Sequence, residues 1–481
     1  MLQYALFLVM LQFVFNVEVE ASGKSIFCYY SSSANARPGV GKFWPEYIDP
    51  FLCSHLIFAF VDITKDGKDL KPNNWNDLGP DGLYKRTMAL KTVNPKLKIL
   101  MAVGGWKIGS KPFLPVVKNK ENIRIWVKNV ITYLRKYKFD GLDMDWEFPG
   151  TRGSKTSDKP LYTFLMKELY ESFEEEADKT GNSKLLLTMA TASSSFYISK
   201  AYEPKEIIKY MDYMLLMTYN YHGSGWEKKT GHHSPLWSHP DDSSGEQKEL
   251  HQQWSIDYWL SQGIPKEKLI VGLPTYGLTF KLKDPDLTGV HAPADGGAEK
   301  GKYTGEQGIL SFYEICEKIQ LEDWTVEWID SQKVPFAHGN GEWVGFENPD
   351  SIALKADNIV KRDLAGAFLW SVEMDDFSGH CGEEKYPLIS AVYKILSVAS
   401  DYDDGPSSRA GGKPPISVKE KIQFECKALG LFAAPKSCEH FYICVPADNY
   451  DFRPILMNCP AGTRFDSDLK ICNHAYLIDC D

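Results

Sequence analysis

The chain has 481 residues, 43% of them hydrophobic, which is enough for two or three domains or for one large barrel with an appended module. Acidic residues outnumber basic ones, 64 against 54, and the formal net charge is -10. Because no basic cluster offsets this balance, nucleic acid and anionic membranes are excluded as main partners.

The first residues have the pattern of a secretory signal. An apolar run from Leu2 to Val17 is followed by Val19-Glu20-Ala21, which suits a small-residue cleavage site. We predict a signal peptide over residues 1–21 and a secreted, extracellular protein. No Lys or Arg precedes the run, so a buried N-terminal segment is the alternative. No later stretch is apolar enough to span a membrane, and we expect no membrane association after cleavage.

Eight apolar or β-branched runs follow, with helical patterns between them. The clearest helical pattern places Ile123, Trp126, Val127, Val130, Ile131 and Leu134 on one face. Strand and helix alternating eight times predict a (β/α)₈ barrel, whose active site lies at the carboxyl ends of the strands. The eight runs are Ser25 to Tyr30, His55 to Asp62, Lys98 to Val103, Gly141 to Trp146, Leu185 to Ala190, Tyr213 to Met217, Leu269 to Gly272 and Gly366 to Trp370.

The fourth run carries a row of carboxyl groups. In a strand, Asp143, Asp145 and Glu147 project to one face, while the large apolar residues between them project to the other. Three enclosed carboxyls cannot all stay ionised without cost, so at least one should hold a proton near neutral pH. Such a group can act as a general acid.

This stretch has two simpler interpretations. The first is a calcium-binding EF-hand loop, which needs Gly at its sixth position and Glu at its twelfth. Counted from Asp143, these positions are Phe148 and Ser154, so the calcium interpretation fails on both. The alternative of a solvated surface strand is weakened by the size and number of its apolar neighbours.

The run Asp140, Asp143, Asp145, Glu147 in DGLDMDWE resembles the DxxDxDxE signature of glycoside hydrolase family 18, the chitinases and chitinase-like lectins. The resemblance implies that Glu147 is the acid and that Asp145 orients the substrate acetamide while sharing a proton with Asp143. In this family the acetamido oxygen of the substrate is the nucleophile.

Other strand ends resemble the family as well. Five further segments match its cleft motifs: Gly104-Gly105-Trp106, Met217-Thr218-Tyr219, His222 to Trp226, Pro274 to Gly277 and Gly366 to Trp370. Two positions depart from the family pattern, since Asn220 and Leu278 replace the usual Asp and Arg. By this resemblance Tyr219 holds the acetamide carbonyl and Trp370 stacks under the sugar. The full set of predicted substrate-binding residues is Trp370, Asn220, Tyr276, Trp106, Trp226, Phe148, Met217 and Tyr29.

Residues 278–348, between the seventh and eighth runs, are too many for one loop and helix and are rich in aromatic residues. The resemblance implies a small α+β insertion lobe that forms one wall of the cleft; a decorated loop is the alternative. His222, His232, His233 and His239 cluster nearby, but their spacing fits no zinc motif. We expect no metal and no cofactor.

Ten cysteines suggest five disulfides and are unevenly distributed. The resemblance implies the pairs Cys28 with Cys53 and Cys316 with Cys381. The other six lie close to the end of the chain, at Cys426, Cys438, Cys444, Cys459, Cys472 and Cys480. The intervening residues 399–417 are rich in Gly, Pro, Ser and Asp, which predicts a flexible linker between a barrel domain (23–398) and a small module (418–481).

The tail resembles the peritrophin-type chitin-binding domain, carbohydrate-binding module family 14, and is expected to be a small disulfide-rich β module; a growth-factor-like module is the alternative. Phe441, Tyr442 and Phe465 are its predicted chitin-binding residues. We therefore predict a monomeric, endo-acting, retaining chitinase that binds chitin and chito-oligosaccharides. The rival hypothesis is a chitin-binding lectin that has lost turnover, which the departures at Asn220 and Leu278 keep open.

Overall fold

The computed structural model describes residues 23–242, 245–382 and 384–397, and in the C-terminal part residues 430–434, 437–447, 451–458, 463–467 and 471–474. The chain divides into two units, Met1–Asp403 and Asp404–Asp481. The predicted signal peptide, the predicted linker and Cys426, Cys459 and Cys480 lie outside the described residues. No helix in the described part is both long and apolar enough to cross a membrane.

Within the described part of the first unit, eight parallel strands form a closed barrel. Neighbours in the sheet follow chain order, and closure comes from pairing of the first strand with both the second and the eighth. The predicted (β/α)₈ barrel is therefore confirmed. From first to eighth, the barrel strands are Ser25–Ser31, His55–Ile63, Lys98–Gly104, Gly141–Asp145, Leu186–Thr191, Tyr213–Leu216, Leu269–Pro274 and Gly366–Trp370. A short strand, Leu70–Lys71, pairs antiparallel with the end of the second.

The α-helices follow the barrel strands from the second onward. The helix Lys120–Tyr137 illustrates what stabilises them. Its N-cap Asn119 accepts a hydrogen bond from the backbone of Asn122, and its apolar stripe, including Trp126 and Leu134, is buried. The α-helices are Leu83–Val93, Lys120–Tyr137, Lys159–Thr180, Ser195–Ala201, Pro204–Ile207, Gln252–Ser261, Phe312–Leu321, Pro349–Lys361 and Pro387–Leu396.

The connection after the first barrel strand differs from the predicted strand–helix alternation. Its described residues form 3₁₀ helices at Ser32–Ala36, Gly39–Gly41 and Pro45–Tyr47 in place of an α-helix. Pro38 and Pro45 break this segment, because proline lacks the amide hydrogen that an α-helix interior requires.

Apolar side chains pack in two layers, one on each side of the barrel sheet. The outer layer lies between strands and helices and includes Leu142, Met144 and Trp146 from the fourth strand and its end. The inner layer fills the barrel and includes Phe27 and Phe368. The two sides of the fourth strand therefore differ, which gives its carboxyl groups an enclosed inner face.

The predicted insertion lobe is an α+β structure. Its five-stranded antiparallel sheet runs in the order Ile309–Ser311, Tyr276–Lys281, Glu342–Gly345, Val334–Gly339, Thr325–Ile329 and is accompanied by the helix Phe312–Leu321. Leu278, where the family usually has Arg, is buried at the base of this sheet and packs in the inner barrel layer.

Both disulfides implied for the barrel are present. Cys28 in the first strand bonds to Cys53 just before the second, and Cys316 of the lobe helix bonds to Cys381 beyond the eighth strand. The second bond fastens the insertion lobe to the barrel frame.

In the C-terminal unit, the described strands are antiparallel. One sheet pairs Gly430–Ala434, Ser437–Ala447 and Asp451–Asn458, and a hairpin pairs Thr463–Asp466 with Ile471–His474. Cys438 and Cys444 lie in the longest strand and Cys472 in the hairpin. The predicted β-type module is confirmed.

Candidate active site

The carboxyl row lies on the inner face of the fourth barrel strand and at its carboxyl end. Asp143 and Asp145 are buried inside the barrel, and Glu147, two residues beyond the last strand residue, is half-buried. The alternation that the sequence predicted is therefore realised, with polar groups facing inward and apolar ones outward.

Asp143 is the deepest member and is fully hydrogen-bonded. The Tyr29 hydroxyl donates to its Oδ2 at 2.7 Å, and the Thr188 hydroxyl donates to its Oδ1 at 2.6 Å. Burial raises the pKa of Asp143 to about 6, while these two hydrogen bonds act in the opposite direction. Asp143 thus titrates near neutrality and is held in one position.

Asp145 lies between the other two carboxyls. Its pKa is raised well above the ordinary value, first by burial and then by the charges of Glu147 and Asp143. Its Oδ1 atom is buried and has no hydrogen-bond partner among the described residues. The arrangement favours a protonated Asp145 whose unpaired oxygen is available to a ligand.

Glu147 carries the outermost carboxyl. Burial raises its pKa to about 7, and the Arg152 guanidinium lowers it. Repulsion within the row, from which the sequence analysis expected one carboxyl to stay protonated, is not the main cause of the raised pKa of Glu147. Burial dominates there, and the repulsion appears instead as a higher pKa of Asp145. Glu147 is thus an acid that still holds its proton near pH 7.

Two glycines allow the third strand to approach the acidic row. Gly104 and Gly105 have φ of 128° and 87°, and the Gly105 amide donates to the Asp145 carbonyl at 2.8 Å. A Cβ atom at Gly104 would lie 2.0 Å from that carbonyl oxygen, and one at Gly105 would lie 2.7 Å from the ring of Phe60. Only glycine fits at either position.

Aromatic side chains surround the row. Trp370, at the end of the eighth strand, is half-buried with its ring centroid 5.1 Å from that of Tyr29 and 5.7 Å from that of Phe60. Tyr219 and Tyr276 are buried, with centroids 6.1 Å apart, and burial together with the charge of Glu147 raises the pKa of both. These residues form one site with the carboxyl groups.

Two further predicted residues, Trp106 and Trp226, have exposed rings. The Arg152 guanidinium lies over the Trp106 ring, 3.6 Å from its centroid, and donates to the Glu147 carbonyl at 3.0 Å. Trp226 folds back on Gly223, where an added Cβ would contact its ring. Exposed indoles suit sugar stacking because their faces are apolar and open.

The structure separates other predicted residues from an open ligand surface. Tyr29 is 1% exposed and serves to hold Asp143, so it positions the site from beneath. Phe148 is buried in the outer layer, where its ring packs 4.8 Å from Tyr197, centroid to centroid. Met217 is half-buried and packs against both layers. Tyr29 and Phe148 are enclosed by protein and present little surface to a ligand, whereas Met217 keeps part of its surface exposed; the role of all three in substrate binding stays a prediction.

Two of the predicted chitin-binding residues of the C-terminal module are also buried. Tyr442 and Phe465 are only 6% and 4% exposed, so they belong to the module's interior and offer little area to chitin. Phe441 lies in the strand Ser437–Ala447, but its side chain is outside the described part of the structure.

Sequence reasoning missed Trp75, whose side chain is 95% exposed. Its neighbours fix its loop to the end of the first barrel strand: Asn74 donates to the Ser32 hydroxyl at 2.7 Å, and Asn76 to Asn35 at 3.5 Å. The available signal was a tryptophan within a polar, turn-forming stretch, where packing against a core is not expected.

The clustered histidines do not converge on one point. His222 contacts Glu227 at 3.1 Å, and His232 and His233 each donate to a backbone carbonyl, at 2.9 and 3.1 Å. Burial lowers the pKa of His233 to about 3, so it is neutral. His239 lies beside His291 instead, which the sequence analysis did not select.

Comparison with known families agrees with this geometry. Residues 25–375 match the family described as Glycosyl hydrolases family 18, and residues 426–480 match the Chitin binding Peritrophin-A domain. The chain belongs to glycoside hydrolase family 18 and carries a peritrophin-type chitin-binding domain, which confirms both resemblances inferred from the sequence.

Similar proteins include chitinases and a protein described as a pseudo-chitinase. The chain is 37% identical to chitotriosidase-1 of Mus musculus over 462 residues, covering 94% of this chain and 95% of that protein. It is 36% identical to the Ostrinia furnacalis Group IV chitinase, solved with allosamidin, at a TM-score of 0.74 that covers 78% of this chain and 99% of the other. It is also 36% identical to human YKL-39, described as a pseudo-chitinase with retained chitooligosaccharide binding, at a TM-score of 0.73 and coverage of 78% and 99%.

Proposed function

We propose that this protein is an active chitinase that hydrolyses β-1,4-linked N-acetylglucosamine polymers with retention of configuration and with the help of the substrate's own acetamide. One observation carries the proposal: the row of Asp143, Asp145 and Glu147 is enclosed, and its outermost member holds a proton near pH 7.

The first step is cleavage of the glycosidic bond. Glu147 gives its proton to the leaving oxygen as the C1–O bond breaks, and the acetamido oxygen of the same sugar bonds to C1 to form an oxazolinium ion. Asp145, whose Oδ1 has no hydrogen-bond partner among the described residues, orients the acetamide N–H. Asp143 shares a proton with Asp145, which lets the pair adjust its charge as the cation forms.

The second step returns the catalyst to its starting state. The ionised Glu147 takes a proton from water, the water oxygen bonds to C1, and the bond to the acetamido oxygen breaks. Tyr219, which is buried beside the carboxyl row, holds the acetamide oxygen. The Trp370 ring stacks beneath the sugar at the cleavage point.

The test is the Glu147→Gln variant assayed for oligosaccharide release from colloidal chitin. Its amide keeps the shape of the acid but has no proton to give, so we expect turnover to fall about 100-fold or more while chito-oligosaccharide binding persists. Glu171→Gln, which removes an exposed helix carboxyl, is the matched control. Activity of Glu147→Gln within about tenfold of the parent would reject Glu147 as the acid.

One observation favours a second candidate, a chitin-binding lectin without turnover: Asn220 occupies the position where active members usually carry Asp. The relative described as a pseudo-chitinase keeps oligosaccharide binding, so the barrel can retain the ligand without hydrolysis. A wild-type protein that binds chito-oligosaccharides but releases no product at any pH would establish this alternative.

The proposal extends to the organisation of the whole chain. We take residues 1–21 as a cleaved signal peptide, 23–398 as the catalytic barrel, 399–417 as a flexible linker and 418–481 as the chitin-binding domain of a secreted monomer. We also propose endo-acting cleavage, in which early products from long chains are mixed oligomers. A product profile containing only disaccharide from the first minutes would contradict that mode.

A further inference from the structure

A group of metal-ligating side chains lies away from the carboxyl row. One ring nitrogen from His239, one from His291 and one carboxylate oxygen from Asp241 all lie within 4.8 Å of one another. Among the described residues this is the group that could hold an ion. The two imidazole rings are 5.1 Å apart, centroid to centroid.

A buried carboxylate supports this group. Asp242 is 5% exposed, and its Oδ1 lies 3.2 Å from Nε2 of His291. The contact falls short of hydrogen-bond geometry, and neither atom has another hydrogen-bond partner among the described residues. Asp242 therefore faces the ring of His291 and is placed to hold it.

We propose that His239, His291 and Asp241 bind a divalent transition-metal ion of the zinc type, with Asp242 orienting the imidazole of His291. Two imidazoles and one carboxylate suit zinc, whereas calcium and magnesium prefer ligand sets made of oxygen. A carboxylate beside a metal-ligating histidine is a recurrent feature of such sites because it fixes the ring.

The ligand atoms, all within 4.8 Å of one another, are close to the spacing that one ion requires. Atoms bound to one zinc ion at about 2.1 Å can be at most about 4.2 Å apart. Rotation of Asp241, whose side chain is 75% exposed, brings its oxygen inward without disturbing packing. Water then completes a four-coordinate site.

The site would join two segments of the barrel domain. His239 belongs to the loop after the sixth barrel strand, and His291 belongs to the segment that follows Tyr276–Lys281. These segments already pair through the backbone, since His291 donates to Thr230 at 3.0 Å and Thr230 donates to Ala292 at 2.8 Å. A bound ion would therefore act as a clamp that stabilises the native fold.

The residue at position 291 has a left-handed backbone, with φ of 67°. Asparagine tolerates this conformation better than most residues. The substitution His291→Asn therefore removes the imidazole with little backbone strain, and it is the preferred test variant.

The experiment uses the full chain, purified without a histidine tag, treated with EDTA and titrated with ZnCl₂ by calorimetry. We expect one ion per chain, a rise in Tm on adding zinc, and no such effects with MgCl₂ or CaCl₂. In His239→Asn/His291→Asn we expect the affinity to fall at least about 100-fold, and in Asp242→Asn about 10- to 100-fold. The matched control is His338→Asn/His380→Asn, which removes two histidines that pair with glutamates elsewhere on the described surface.

Zinc affinity unchanged in His239→Asn/His291→Asn, or reduced equally in the control, would overturn the proposal. X-ray absorption at the zinc edge of the wild-type protein keeps the test decisive if a variant fails to fold. Scattering from two imidazoles supports the site, while sulfur ligands or oxygen ligands alone would refute it.

Discussion

The hydroxyl of Tyr276 donates a 2.6 Å hydrogen bond to Oδ1 of Asn220. Asn220 is exposed and has φ of 58°, a left-handed conformation that asparagine tolerates well. Tyr276 is buried, and the charge of Glu147 contributes to raising its pKa. Asn220 is thus hydrogen-bonded to a phenol that interacts electrostatically with Glu147, the proposed acid.

A carboxylate at this position should raise the pKa of Glu147. The acid is active when protonated, so Asn220→Asp is expected to raise kcat and to move the alkaline limb of kcat/KM to higher pH, by less than about one unit because position 220 is exposed. The wild type should correspondingly be slower than relatives that carry Asp. The measurement is a pH–rate profile on a soluble chitin oligomer.

The matched control for this profile is Asn340→Asp, another left-handed asparagine, located in the insertion lobe. It should leave the limb in place. If the limb also stays in place in Asn220→Asp, the two side chains are not electrostatically coupled.

Arg152 should act on the same limb. Its guanidinium lowers the pKa of Glu147, whose burial raises that pKa to about 7. Loss of the charge in Arg152→Gln should therefore raise the pKa of Glu147 and extend activity to higher pH, since the protonated form persists further. The check is again kcat/KM against pH. Lys107→Gln, which removes an exposed neighbouring charge, is expected to change the profile little, and an equal shift there would argue against a specific role for Arg152.

Gly104 should be intolerant of any side chain. A Cβ atom there would meet the backbone carbonyl of Asp145 at 2.0 Å, and backbone cannot yield as a side chain does. Gly104→Ala is expected to lose about 2–4 kcal/mol of unfolding free energy, measured by urea denaturation. Gly153→Ala separates the causes, because Gly153 also has positive φ but nothing lies within 4 Å of its missing Cβ. Equal losses of unfolding free energy in both variants would show that the positive φ, and not the clash with the Asp145 carbonyl, causes the destabilisation.

The C-terminal unit should contribute proximity and no chemistry. A chain truncated after Ser400 is expected to keep full turnover on soluble oligomers but to lose about tenfold or more on insoluble chitin, because the module raises the local concentration of enzyme on the polymer. Initial rates on the two substrates provide the measurement. Equal losses on both would mean that the tail takes part in the barrel's stability or catalysis.

Periodicity was sufficient to predict the barrel but not every connection. The eighth strand, Gly366–Trp370, has the predicted limits, and the other seven barrel strands agree to within one or two residues at each end. Strand signals are strong here because buried parallel strands are nearly continuous apolar runs. The connection after the first strand escaped prediction because proline, and not periodicity, decides its structure.

The predicted site divides along a physical line. The carboxyl groups lie on the enclosed inner face that the alternation predicted, and a carboxyl in an apolar strand has few reasons to be there except function. Phe148, Tyr442 and Phe465 were predicted to contact sugar and are buried, because a sequence does not distinguish a large apolar residue that stacks on sugar from one that fills a core. The pairing of His239 with His291 was missed because it joins segments that only the fold brings together.

Barrel closure also sets an order of events during synthesis. Ser25 pairs with Gly366, so the first strand cannot complete its hydrogen bonding until almost the whole barrel has left the ribosome. Until then the nascent sheet has two free edges, at Ser25–Ser31 and at whichever strand emerged last. Those edges can pair with other chains, so slow decoding near the eighth strand would lengthen the interval in which aggregation competes with folding.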